Sequence, residues 1–120
     1  MAKILVVDDE DRIRTMVVTM LRMAGFETME AENGMSAFEL AKANGPSLII
    51  SDVMMYNGSG FILREFLKTE STTSKIPMIL MSGKAQDAGA WGADPNVEYI
   101  EKPFTDKELF SAIKRMLEPG

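Results

Sequence analysis

The run SLIISDVMM (residues 47–55) ends an apolar stretch on one carboxylate, Asp52, and follows it at once with Met54 and Met55. The same pattern, an apolar run that ends on a side chain able to do chemistry, recurs twice. ILVVDD ends on Asp8 and Asp9, and PMILMSG ends on Ser82; VEYIEK adds Lys102 after one turn residue. If these ends converge, three carboxylates, one hydroxyl and one ammonium share one place. Two carboxylates about 4 Å apart repel by about 4 kcal/mol at an effective dielectric of about 20, so three need a cation or strongly shifted pKa values. Lys102 offsets one charge. A hard, oxygen-only donor set suits Mg²⁺, or Mn²⁺, which binds through one or two carboxylates and leaves room for phosphate oxygens. Asp52 then becomes a candidate nucleophile toward a phosphoryl group, whose oxygens the cation, Lys102 and Ser82 would neutralise.

Each residue also has a plain structural reading. Asp8 or Asp9 could cap the first helix, Ser82 before Gly83 could belong to a turn, and Lys102 could be a surface lysine. Asp52 resists such a reading, because it ends an apolar run and the next helix begins several residues later. Independent capping and surface roles would scatter over the molecule, whereas these residues all fall at the ends of strands.

A parallel sheet is the element that could aim them together. Ile4–Val7, Leu48–Ile50 and Met78–Met81 are short, nearly continuous apolar runs, as expected of strands covered on both faces. Glu27–Ala31 and Val97–Ile100 carry charges (Glu27, Glu30, Glu98) and read as edge strands. Helical periodicity links them. Ile13, Met16, Val17, Met20, Leu21 and Ala24 form one apolar stripe closed by Gly25. A second helix runs from about Met35 to Ala43 and stops at Asn44-Gly45-Pro46; a third starts at Ser59 and is expected to bury Ile62, Leu63, Phe66 and Leu67. The last opens with the capping box Thr105-Asp106-Lys107-Glu108 and buries Leu109, Ala112, Ile113, Met116 and Leu117. Between strands four and five, GKAQDAGAW is broken by Gly83 and Gly89 and closed by Gly92, which predicts a shortened or irregular fourth helix; each interior glycine costs about 1 kcal/mol relative to alanine. Right-handed crossovers then give an α/β, doubly wound five-stranded parallel sheet of order 2-1-3-4-5, with helices on both faces and a ligand crevice beyond the carboxyl ends of strands one and three.

Composition narrows the function. The 120 residues, 46% hydrophobic and 26% charged, suit one domain over residues 1–120, and the 11 methionines are expected to fill its core. The absence of cysteine and histidine removes disulfides, thiolate zinc sites, cysteine nucleophiles, Ser-His-Asp triads and phosphohistidine on this chain. A net charge of −5 without a basic cluster argues against direct nucleic-acid binding and suits a bound cation. The opening MAKILVVDDE has only a four-residue apolar run, too short for a signal peptide or membrane span, so the expected location is cytoplasmic. Only Pro119-Gly120 resembles a linker.

ILVVDDEDRIR, IISDVMM, the Gly60-Phe61 pair eight residues after Asp52, PMILMSG and YIEKPF together resemble the receiver domain of two-component response regulators, of the single-domain chemotaxis-regulator kind, over essentially the whole chain. The fold this implies is flavodoxin-like. The resemblance further implies that Asp52 accepts a phosphoryl group from the phosphohistidine of a sensor histidine kinase or phosphotransfer protein. Asp9, Asp52 and the Met54 backbone carbonyl would bind Mg²⁺, and Asp8 would act through water or through Lys102. Ser82 and Lys102 would contact the phosphoryl group, Ser82 and Tyr99 would be the switch residues, and Lys102–Pro103 would be a cis peptide. Phosphorylation would alter the surface of helix four, strand five and helix five, read by a downstream protein or an output domain. No separate turnover substrate is implied.

The sequence departs from that pattern at Tyr56-Asn57, where the family usually has proline four residues after the phosphoacceptor; the loop would be looser or present an aromatic ring to a partner, or Tyr56 would be a plain exposed loop residue. Apolar Met54 would slow hydrolytic water. Pro95-Asn96-Val97 resembles a small insertion. Two rivals remain. Asp9-x-Asp11 with Ser82 and Lys102 resembles the residue order of haloacid-dehalogenase-type phosphatases, although Asp52 would then have no role. A receiver fold that never carries phosphate, a pure interaction module, would lack a site residue, and none is missing.

Overall fold

The computed structural model describes residues 2–55, 58–83 and 94–118. Five strands, β1 (Lys3–Val7), β2 (Glu27–Ala31), β3 (Leu48–Asp52), β4 (Met78–Ser82) and β5 (Val97–Glu101), form a parallel sheet of order β2-β1-β3-β4-β5. Four helices are described: α1 (Asp11–Met23), α2 (Gly34–Asn44), α3 (Gly60–Lys68) and α4 (Asp106–Leu117). The expected strand order and the division into central and edge strands hold. All five residues of β3 and of β4 are buried, whereas Glu27 and Glu30 of β2 are exposed.

Alternation along the strands feeds two cores, because successive side chains point to opposite faces. Ile4, Val6, Ile50, Ile79 and Met81 pack with α1 and α4; Leu5, Val7, Ile49, Met78 and Leu80 pack with α2 and α3. Local signals set the helix ends. The Thr105 hydroxyl accepts from the Glu108 amide while Glu108 accepts from the Thr105 amide, the expected capping box. Asn33 caps α2 by accepting from Ser36 N at 2.8 Å, and Gly25 takes φ 94° just beyond α1.

Three expectations about burial fail. α3 buries Leu63 and Leu67 but leaves Ile62 50% and Phe66 41% exposed. Consecutive helix residues are about 100° apart, so a face centred on Gly60, Leu63, Arg64 and Leu67 turns Ile62 outward and Phe66 sideways, onto the Phe38 ring of α2 at 5.7 Å. Met16 and Ala24 likewise lie exposed at the margin of the α1 stripe. The methionines do not act as one class: Met78 and Met81 are core, but Met23, Met35 and Met54 are exposed, since an unbranched thioether tolerates either setting. Tyr56 and Asn57, and the predicted short fourth helix with Trp91, lie outside the described residues.

Candidate phosphoacceptor site

Register places the chemistry at one end of the sheet. Val7 pairs with Ser51 and Asp52 with Met81, so the turn after β1 and the ends of β3 and β4 lie side by side. Carboxylate oxygens of Asp8, Asp9 and Asp52 all fall within 4.8 Å of one another. Lys102, which directly follows β5, donates its amide to the Ser82 carbonyl at 2.7 Å and brings its Nζ to 3.0 Å from Asp52 Oδ1. The Lys102–Pro103 peptide is cis.

Asp52 is nearly buried. Burial is the largest influence on its carboxyl and pushes the pKa up, opposed by the Lys102 ammonium and by the Met54 backbone amide, which donates to it. Its own peptide is also pinned. A Cβ on Gly60 would come 2.7 Å from the Asp52 carbonyl oxygen and 2.5 Å from Leu80 Cδ2, so only glycine lets α3 start directly against the strand that carries Asp52. This explains Gly60 eight residues after Asp52.

Asp8 is fully buried, and one oxygen, Oδ2, has no hydrogen-bond partner among the described residues. Oδ1 accepts from the Glu10 amide at 2.9 Å. Burial, with smaller contributions from Asp52 and Asp9, pushes the Asp8 carboxyl up to about 6 despite the Glu10 amide and Lys102. A buried carboxylate oxygen without a partner, in a triad of oxygen donors, fits a hard divalent cation.

The plain readings fare poorly. The N-cap of α1 is Glu10, whose own side chain makes no cap hydrogen bond, while Asp8 and Asp9 turn carboxylate oxygens toward Asp52. Lys102 is 27% exposed with its ammonium on Asp52, not a solvated surface lysine. Ser82 is buried at the end of β4. Tyr99, half-buried on β5, sets its ring 6.2 Å from that of Phe61 in the first turn of α3. Met54 exposes 73% of itself two residues after Asp52. Asp11, the acid of the phosphatase rival, is on the first turn of α1, paired with Arg14 at 2.6 Å and outside the carboxylate triad. Sequence reading missed Arg14, whose Nη1 donates to the Asp8 carbonyl at 2.8 Å; its only signal is an arginine six residues on, within reach of the β1–α1 turn.

A doubly wound sheet with clustered aspartates and a lysine at the strand ends defines a phosphoacceptor class. Residues 4–114 match the response regulator receiver domain, and the chain belongs to that family. The phosphate regulon transcriptional regulatory protein PhoB of Pseudomonas aeruginosa is 39% identical over 119 residues, covering 95% of this chain and 51% of that protein. Histidine kinase P4 of Formosa agariphila is 39% identical over 120 residues, 96% of this chain and 8% of that protein. Among solved structures, chemotaxis protein CheY4 of Vibrio cholerae superposes with a TM-score of 0.87 at 32% identity, covering 98% of this chain and 99% of that one. The chain thus spans about half the length of the PhoB relative and nearly all of the single-domain one. It is a receiver domain of two-component systems, a signalling phosphoacceptor and not an enzyme with its own substrate, which overturns the phosphatase rival. Membership implies a histidine kinase partner. Among the described residues no helix is long and apolar enough to cross a membrane.

Proposed function

We propose that Asp52 is the phosphoacceptor and that a histidine kinase, directly or through a phosphotransfer protein, supplies the phosphoryl group. The observation that carries this reading is the Lys102 ammonium 3.0 Å from an Asp52 carboxylate fixed at the end of a buried central strand. An Asp52 oxygen attacks phosphorus, the O–P bond forms and the P–N bond to the donor imidazole breaks. The departing ring nitrogen keeps the electron pair and takes a proton from solvent. Lys102 and Ser82 meet the charge on the phosphoryl oxygens as it shifts. Asp9, Asp52 and the Met54 carbonyl, with Asp8 through water, would hold Mg²⁺ or Mn²⁺, which when bound would neutralise the clustered carboxylates and phosphoryl oxygens. Water later attacks the acyl phosphate, releasing inorganic phosphate and restoring Asp52; apolar Met54 slows its entry.

In the phosphorylated state Ser82 moves toward the phosphoryl group and Tyr99 turns inward, changing the surface built on β5 and α4. A downstream protein, or an output domain on a longer chain, reads that change; the receiver itself contacts neither nucleic acid nor membrane and works in the cytoplasm. Intact-mass measurement after incubation with a small phosphodonor and Mg²⁺ tests the reading. The wild type gains one phosphoryl group and Asp52→Asn gains none. Equal labelling in EDTA, or undiminished labelling of Asp52→Asn, refutes it.

A further inference from the structure

Both edge strands are stapled to a helix by an arginine and a glutamate. Arg115 of α4 reaches Glu98 of β5, with Nε and Nη2 at 2.7 and 2.6 Å from Oε1. Arg14 of α1 reaches Glu30 of β2, with Nε at 3.1 Å from Oε1. The two differ in what else they hold. The Arg14 side chain is only 14% exposed and spends its other nitrogens inward, Nη2 on Asp11 Oδ1 at 2.6 Å and Nη1 on the Asp8 main-chain carbonyl at 2.8 Å.

Asp8 is therefore fixed at every polar atom but one. Its amide donates to the Ala31 carbonyl at 3.1 Å, its carbonyl accepts from Arg14, and Oδ1 accepts from Glu10. What remains is the buried Oδ2, directed at no protein donor among the described residues. The N-cap residue Glu10 makes no side-chain cap hydrogen bond, and Arg14 ties the β1–α1 turn to the first turn of the helix and to the edge strand. Three contacts in three directions require a planar guanidinium fork, which lysine lacks.

We propose that Arg14 is a positioning residue for the cation site: by holding the Asp8 peptide it keeps the Asp8 and Asp9 carboxylates preorganised for a divalent ion. This rests on the metal-binding reading above. Partners that orient metal ligands without touching the metal typically alter affinity by about 10- to 100-fold when removed.

Isothermal titration calorimetry of Mg²⁺ into the unphosphorylated full chain tests this without reference to activity. Arg14→Gln and Arg14→Lys should each weaken the Kd about tenfold, Lys failing because charge without the fork does not hold the carbonyl. Arg115→Gln, which removes the more exposed staple at the far edge, should leave the Kd within about twofold and lower the metal-free melting temperature less than Arg14→Gln does. Should Arg14→Gln fold poorly, Arg14→Lys and Glu30→Gln, which loosens the fork but keeps the arginine, carry the test; each should weaken Mg²⁺ binding. An unchanged Kd in the Arg14 variants, or full rescue by lysine, overturns the proposal while leaving the cation site intact. A wild type that binds no Mg²⁺ overturns the metal reading, and this inference with it.

Discussion

Replacing Asp8 by asparagine should stabilise the metal-free protein at neutral pH, and the gain should vanish in acid. The folded-state pKa of about 6 lies above the ordinary 3.8, so between those values the folded protein holds a proton that the unfolded chain releases. The contribution of Asp8 to stability is complete below pH 3.8, declines as pH rises to about 6 and is flat above. A displacement of about two pH units, at 1.36 kcal/mol per unit, makes the decline about 3 kcal/mol. Asparagine is neutral throughout and keeps an oxygen for the Glu10 amide, and removing the Asp8 charge also eases the upward push on Asp52. The unfolding free energy of Asp8→Asn minus that of the wild type, from urea denaturation in EDTA followed by circular dichroism, should rise by about 2–2.5 kcal/mol from pH 4 to pH 7. That corresponds to a difference in melting temperature on the order of 10 °C for a domain of this size. Adding Mg²⁺ should narrow the gap by stabilising the wild type more. A difference that does not vary with pH would refute burial and charge crowding as the condition of Asp8.

Lys102→Gln should leave the fold intact but slow labelling of Asp52 by a small phosphodonor by about 10²- to 10³-fold, as removal of a fixed charge aimed at reacting oxygens does; single-turnover mass spectrometry would measure it. Gly60→Ala should destabilise the domain by about 1–3 kcal/mol in urea, because the new methyl meets Leu80 and the Asp52 carbonyl, a backbone atom that cannot yield cheaply. Asp94→Ala should cost about 3–5 kcal/mol at pH 7, since it leaves Arg64, only 3% exposed and 3.0 Å from Asp94, buried without its carboxylate. Against partial burial, Arg64 and the Asn96 amide hold the Asp94 carboxyl below its ordinary range, so the wild-type advantage should be present at neutral pH and decline as pH falls below that range; an advantage that grows as pH falls would contradict the pairing.

What the sequence revealed was local or periodic. Ile4–Val7, Leu48–Ile50 and Met78–Met81 could be recognised as central strands because burial on both faces permits no polar residue until the strand ends, and Thr105 to Glu108 because a capping box lies within four residues. The carboxylates, Ser82 and Lys102 stood out because each lies within two residues of the end of an apolar run. Arg64 was invisible because its partner is 30 residues away and a lone arginine on a helix looks solvated. Ile62 and Phe66 were misplaced because a nine-residue helix leaves apolar periodicity compatible with two faces, and only packing against β3 through Gly60 selects one. The hold of Arg14 on a main-chain carbonyl leaves no pattern in side-chain types.

Borohydride trapping of the phosphorylated protein, followed by peptide sequencing, reads the phosphoacceptor directly, because reduction of an aspartyl phosphate converts that aspartate to homoserine. After brief treatment with a small phosphodonor and Mg²⁺, conversion should occur at Asp52 alone, with none in Asp52→Asn or in EDTA. Conversion at Asp8, Asp9 or Asp11 in the wild type, with Asp52 untouched, would contradict the assignment of the site.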